Sequence, residues 1–330
     1  MQRRDFIALL GTAAAPAVWP FAARAQQEGR AKRVGFLVAR LDDDGGTDAR
    51  VTAIREGLAK LGWIEGRNLR TEVRLATGDP DRLHALAVEL VSLAPDVMVT
   101  TASTTRAVLE QTQTTPIVIA QGGDPVASGL IRNIARPEGN ITGFGTLEPA
   151  TAGKWLALLK EAVPHLTRVA VLFNPEFGPT VPSYLALIDA AAPALGVQVV
   201  NKPCRNAIDT VRAIDAFAVE PNGGLLVLPP GTGAVETIIP LANEHRLPTI
   251  YPLRDVVVAG GLMCYVEADL VDHYRRAASY VDRLLRGTKV ADLPFQFPTN
   301  YELVINLKAA KAIGLTIPPQ LLLRANELIE

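Results

Sequence analysis

The sequence holds two cysteines in 330 residues, Cys204 and Cys264. That excludes a disulfide-stapled scaffold and any cysteine-based zinc site, and leaves either one bridge or two buried thiols. Aromatic residues are scarce at 5%, so few rings are on hand to stack on a ligand. Neither charge sign dominates: 33 Lys+Arg stand against 34 Asp+Glu, a formal net charge of -1, which lacks the basic footprint of a nucleic-acid partner. No apolar run reaches the roughly 18 residues that span a bilayer.

Several chemical signatures are missing too. Val34–Gly46 follows the first strand candidate without G-x-G-x-x-G spacing, which disfavours a dinucleotide. There is no phosphate-cradling G-x-x-x-x-G-K-[ST] and no G-x-S-x-G nucleophile elbow. The four histidines, His84, His165, His245 and His273, are scattered and read as exposed residues of helices; they build no metal cluster. Asp42-Asp43-Asp44-Gly45 lacks the rest of a calcium loop and reads as a solvated loop. The expectation is therefore no metal, no cofactor and no catalytic residue.

The N-terminus is an address. Arg3-Arg4 precedes a modest apolar stretch, Phe6 to Val18, and Ala23-Arg24-Ala25 supplies a small-x-small cleavage pattern. This is a signal peptide over 1–25, cut after Ala25, and too short for an anchor. Arg3-Arg4-Asp5-Phe6-Ile7 is similar to a twin-arginine signal, with a general secretory signal as the alternative. Both routes lead to the periplasm.

From Arg33 onward β-rich runs alternate with helical stretches. Strands are expected at Arg33–Ala39, Leu69–Leu75, Asp96–Thr100, Pro116–Ala120 and Asn140–Phe144. Between them, Val51, Ile54, Leu58 and Leu61 mark one helical face over Asp48–Leu61. Asp81–Leu93 and Thr104–Gln113 follow as helices. The second half repeats the rhythm, with strands at Arg168–Phe173, Val197–Val200, Gly224–Leu228, Pro248–Tyr251 and Gly261–Tyr265. Its helices fall at Ser183–Leu195, Ile208–Phe217 and Ala234–His245. Such alternation favours parallel sheets, because parallel neighbours need a crossover. The fold class is α/β, with two Rossmann-like lobes and a cleft between them.

Ligands of open parallel sheets sit beyond the carboxyl ends of the strands, where helix N-termini also point. On that rule the candidate ligand-binding residues of the first lobe are Ala102, Ser103 and Thr104 after the third strand, Gly123 and Asp124 after the fourth, and Thr146 beyond the fifth. The second lobe offers Asn174, Pro229, Tyr251 and Tyr265. Each also has a plainer role. Ser103 or Thr104 would serve as an N-cap, Asp124-Pro125 as a turn, and Tyr251 as a core ring.

The strings GDPDRLHALAVELV, GGDPVASGLI, ARPEGNITGF, KWLALLKEAVPHLTRVAVLFNP and YRRAASYVDRLLRGTKVADLPFQFPTNYELVINLKAAKAIGLTIPP, with RRDFIALLG in the leader, cover nearly the whole chain. Together they resemble the ABC transporter substrate-binding protein family that includes tryptophan- and tyrosine-binding members. The resemblance implies the periplasmic-binding-protein type I fold with three crossovers between lobes. Lobe 1 would span 32–144 plus about 267–298, and lobe 2 about 145–266 plus 299–330. It also implies an exported monomer that binds an amino acid or aromatic acid and hands it to a membrane permease. A ligand sensor without transport is the alternative. A two-cysteine racemase is disfavoured, since both cysteines fall in the second half. The chain departs from the family in carrying Ala102-Ser103-Thr104 where a Gly-x-Pro turn is common, in an acidic Leu41–Asp48 loop, and in Glu267.

Overall fold

The computed structural model describes residues 30–39, 45–76, 79–146, 148–176, 180–229, 235–268 and 270–330, with the side chains of 45–48 and 270–272 excepted. The expected signal peptide over 1–25, Asp42–Asp44 and Pro230–Thr232 lie outside the described residues.

The first sheet is wholly parallel. It contains β1 (Lys32–Ala39), β2 (Leu69–Ala76), β3 (Val97–Thr101), β4 (Ile117–Gln121) and β5 (Ile141–Gly143), in the order β2-β1-β3-β4-β5. The β3 run Val97–Thr101 is buried throughout, as a strand covered by helices on both faces must be. Helices α1 (Gly45–Lys60), α2 (Pro80–Ser92) and α3 (Ala102–Gln111) make the crossovers. Helix α2 starts one residue earlier than its apolar pattern suggests. Asp79 caps it, accepting from the Asp81 and Arg82 N–H groups, and Pro80 supplies the first turn without needing a donor.

The second sheet runs β12-β11-β10-β9-β8-β6-β7. Its strands are β6 (Arg168–Phe173), β7 (Gln198–Pro203), β8 (Gly223–Val227), β9 (Thr249–Tyr251), β10 (Met263–Glu267), β11 (Tyr301–Asn306) and β12 (Glu327–Ile329). All pairs are parallel except β10 with β11. Helices α4 (Thr151–Ala162), α5 (Thr180–Leu195), α6 (Ala207–Ala218), α7 (Val235–Glu244), α8 (Arg254–Val258), α10 (Leu307–Ala312) and α11 (Pro319–Arg324) surround it.

Helix α9 (Leu270–Leu285) leaves the second sheet for the first. Tyr274, Ala277, Ala278, Val281 and Leu284 pack among Phe36, Ile54, Leu58 and Val99. Gly57 makes this possible: a Cβ there would lie 2.6 Å from the Ala278 Cβ. The chain then returns alongside β5. The Gln296 N–H donates to the Gly143 carbonyl at 2.9 Å, and the Gly145 N–H to the Gln296 carbonyl at 2.8 Å. The Ala268 N–H donates to the Asn300 carbonyl at 3.2 Å. The passages between the two sheets thus run side by side.

His273 corrects the expectation of an exposed helical histidine, because its side chain is fully buried. The pairing of β3 with β4 skips Ala120, setting Thr100 opposite Ile119 and Thr101 opposite Gln121. The His273 Nε2 lies 2.8 Å from the Ala120 carbonyl, which requires the N–H on that nitrogen. The Nδ1 lies 2.9 Å from Glu267 Oε1 at the end of β10. Arg276 approaches the same carboxylate oxygen at 3.1 Å. Glu267, unusual in the sequence, is thus a buried tie between the two sheets.

Candidate ligand-binding cleft

The carboxyl ends of both sheets face a common cleft of about 580 Å³, within the usual range for a small organic ligand. Its first wall begins at the end of β3. Thr101 is the N-cap of α3, and the Thr104 hydroxyl accepts from the Thr101 N–H at 3.1 Å while donating to the Leu37 carbonyl at 2.6 Å. The helix therefore starts two residues earlier than expected. Thr104 turns inward as a buried brace, whereas Ala102, Ser103 and Arg106 are exposed along the cleft.

The end of β4 supplies the next stretch. The Asp124 Oδ1 accepts from the Val126 and Ala127 N–H groups at 2.8 and 3.1 Å, closing a turn. The Thr146 N–H holds the Gly122 carbonyl at 2.8 Å and so fixes the loop from the other side. Behind it, Arg50 of α1 is a buried guanidinium, 8% exposed, and its Nη1 donates to Gln121 Oε1 at 3.2 Å. The Tyr274 hydroxyl donates to the same oxygen, and the guanidinium carbon sits 6.0 Å from the Tyr274 ring centre. Arg106 is set by Nη2 donating to the Ser128 carbonyl at 3.1 Å.

The opposite wall comes from the second lobe through Thr180, Tyr184 and Pro229. A Cβ on Gly123 would lie 3.5 Å from the Thr180 Cγ2, so the lobes come within van der Waals reach across the cleft. Tyr184 stacks on Trp155, with ring centres 5.8 Å apart and planes at 19°. Burial, and then the Asp124 charge across the cleft and Tyr301, raise its pKa well above the ordinary tyrosine value, so the hydroxyl stays a neutral donor.

Six of the ten candidates meet at this cleft: Ala102, Ser103, Gly123, Asp124, Thr146 and Pro229. Four do not line it. Thr104 is the buried brace just described. The Asn174 Oδ1 accepts from the Glu176 N–H at 2.9 Å and shapes the turn after β6. Tyr251 is 2% exposed, packed against Gly261, where a Cβ would lie 2.7 Å from its ring. Tyr265 stacks on Tyr301 with ring centres 5.2 Å apart. Both tyrosines belong to strands whose side chains point into the lobe, not to the loops beyond them. Sequence reasoning missed Arg50, Arg106 and Tyr184. Arg50 stands four residues before Ile54 and so falls on the apolar face of α1, a charge out of pattern that could have been noticed. Arg106 lies one helical turn after Ser103. Tyr184 shares the apolar face of Val181 and Ile188, where nothing distinguishes it from core.

Both cysteines are buried and unpaired, and neither lines the cleft. Burial raises both thiol pKa values, that of Cys264 to about 12, the reverse of what a nucleophile requires. The arrangement can bind an organic molecule by hydroxyl, amide and guanidinium donors set in a mostly apolar cleft.

Residues 37–329 match the family model for ABC transporter substrate binding proteins. The chain belongs to that family. It is 22% identical, over 292 residues, to the tyrosine-binding protein of Clostridioides difficile (strain R20291), covering 86% of this chain and 82% of that one. Among solved structures it is similar to a conserved domain protein of Vibrio cholerae O1 biovar El Tor. That likeness has 28% identity and a TM-score of 0.79, and covers 91% of this chain and 100% of the other. An ABC domain of Streptococcus pneumoniae in complex with L-Trp shares the fold at 22% identity, with a TM-score of 0.76 and coverage of 90% and 100%. The family therefore fixes the type I periplasmic-binding fold, a small-molecule ligand and a permease partner.

Proposed function

We propose that this protein is exported to the periplasm as a monomer, takes a small carboxylate-bearing solute between its lobes, and delivers it to the permease of an ABC importer. The solute class is an amino acid or an aromatic acid. The observation that carries this reading is the meeting of donors from the first lobe, Ser103 with Arg50 and Arg106, with Tyr184 and Thr180 of the second. A buried carboxylate needs such donors, because an unpaired charge in an apolar cleft is costly. The tyrosine and tryptophan carried by relatives support an aromatic body. Arg3-Arg4 supports export by the twin-arginine route, and replacing both with Lys should abolish it while keeping the charge. Binding is tested by thermal unfolding of the chain from Gln26 onward against aromatic amino acids and aromatic acids. A true ligand at about 100 times its Kd stabilises by about 2.7 kcal/mol. No shift with any member of the panel would overturn the ligand class.

A further inference from the structure

Three successive residues, Ala120, Gln121 and Gly122, carry β4 into the cleft, and each is held by a segment that passes between the sheets. Ala120 is the residue the β3 pairing skips, and it stands beyond Ile119, the last residue of β4 paired with β5. It is fully buried, so its carbonyl needs a donor, and His273 Nε2 supplies one at 2.8 Å. Tyr274, next in the same helix, donates to Gln121 Oε1, where Arg50 Nη1 also donates at 3.2 Å. Thr146, on the passage out of β5, holds the Gly122 carbonyl through its N–H at 2.8 Å. A one-residue bulge decides which way a strand end faces. Here the residues that follow it, Gln121 to Asp124, line the cleft.

The far side of the His273 ring meets the other lobe's strand. Nδ1 and Glu267 Oε1 are 2.9 Å apart, a distance that two lone pairs do not keep without a proton between them. The cationic Arg276 donates to that same oxygen at 3.1 Å, which holds the group as a carboxylate and leaves the proton on the ring. Arg276 Nη2 also lies 3.4 Å from Nδ1, and the edges of Phe144 and Tyr274 close in the ring at 5.6 and 5.9 Å between centres. His273 thus donates in two directions, to Glu267 at the end of β10 and to the bulge of β4.

We propose that Glu267 and His273 are a positioning unit for ligand binding: the doubly protonated ring ties the end of β10 to the Ala120 carbonyl, and so sets the Gln121–Asp124 loop according to where the second lobe stands. Neither residue lines the cleft. They act through Ala120 and the loop, so a shift of the interlobe passage is felt at the binding surface without contact between these two side chains and the solute. The proposal rests on the cleft being the ligand site. Its test uses no ligand, so the two readings can fail separately.

Nuclear magnetic resonance of the chain from Gln26 onward supplies two readouts. With 15N-labelled histidine at neutral pH, the resonance pair that disappears in His273→Phe should show a proton on each ring nitrogen in the native protein. In Glu267→Gln the amide can donate to Nδ1, so the same ring should carry its proton on Nε2 alone. A bare ring nitrogen in the native protein would overturn the proposal. Backbone relaxation then reads the loop. The amides of Gly122, Gly123 and Asp124 should have order parameters of about 0.85 in the native protein and below about 0.6 in His273→Phe. Glu267→Leu should lower them as well, although Glu267 makes none of the bonds to residues 120–122. The amides of Leu225 and Leu228 in the second sheet should stay at about 0.85 in both variants, because lost global stability alone leaves the order of the folded state unchanged. An unchanged loop in the folded variants, or an equal fall at Leu225 and Leu228, would overturn the positioning role.

Discussion

His273 offers the sharpest energetic test of the architecture. Its ring is fully buried, donates from Nε2 to a carbonyl of the first sheet, and meets from Nδ1 a carboxylate of the second. His273→Phe keeps the ring and much of its edge contact with Phe144, whose centre is 5.6 Å away, but removes both polar contacts. The Ala120 carbonyl loses that donor, and Glu267 loses one of two partners on Oε1 while its Oε2 already has none. Breaking a buried pair by deleting one member costs about 3–5 kcal/mol. Arg276 remains 3.1 Å from the carboxylate, which favours the lower end, about 3 kcal/mol. Urea unfolding of the ligand-free protein should record that loss, and the melting temperature should fall by about 6–10 °C. Glu267→Gln in the His273→Phe background should cost much less than it does alone, a coupling of about 1 kcal/mol or more. A single variant within about 1 kcal/mol of the wild type, or strictly additive variants, would refute the tie between sheets.

Other expectations follow from the same geometry. Thr104→Ala should cost about 1–2 kcal/mol of stability by leaving the Thr101 N–H and the Leu37 carbonyl without their hydroxyl partner, and calorimetry should find solute affinity nearly unchanged. Asp96 titrates below the usual carboxylate range: burial alone would raise it, but the Arg33 N–H at 2.8 Å and the Lys32 ammonium at 3.0 Å outweigh that. A carboxyl depressed in the folded state stabilises above its unfolded pKa and loses that contribution as pH falls through its folded pKa. Asp96→Asn should therefore be less stable by up to about 1 kcal/mol at neutral pH, with the difference vanishing in acid unfolding curves. Gly143 sits at φ 144°, where a Cβ would lie 2.1 Å from the Ile119 carbonyl oxygen. Gly143→Ala should sharply reduce soluble, folded protein, as read by yield and circular dichroism.

Much of the fold was legible because buried parallel strands are written as continuous apolar runs. Val97–Thr101, Ile117–Gln121 and Arg168–Phe173 stand within a residue or two of their expected places. Short pieces such as α8, α11 and β12 carry too few residues to impose a period. The return of α9 to the first sheet was not legible from periodicity either, since an amphipathic helix does not say which apolar surface it will cover. The resemblance supplied it. In the cleft, the rule of strand ends found the loops correctly and the side chains unevenly. Ser103 and Thr104 offer the same hydroxyl chemistry in sequence, and the bond to the Leu37 carbonyl accounts for Thr104 being the one turned inward. Tyr251 and Tyr265 were expected at the cleft from their position near strand ends, but side-chain direction along a strand alternates, and core packing claimed both. His273 was hidden by the opposite error, because a histidine on a helix is usually solvated.

The central claim is that a small solute is held between the two lobes. A crystal structure of the chain from Gln26 onward, grown with the tightest-binding compound of the panel, tests it most directly. The account predicts ligand density in contact with Ser103 or Arg106 on one side and with Thr180 or Tyr184 on the other. Density confined to one lobe, or bound outside this cleft, would contradict it.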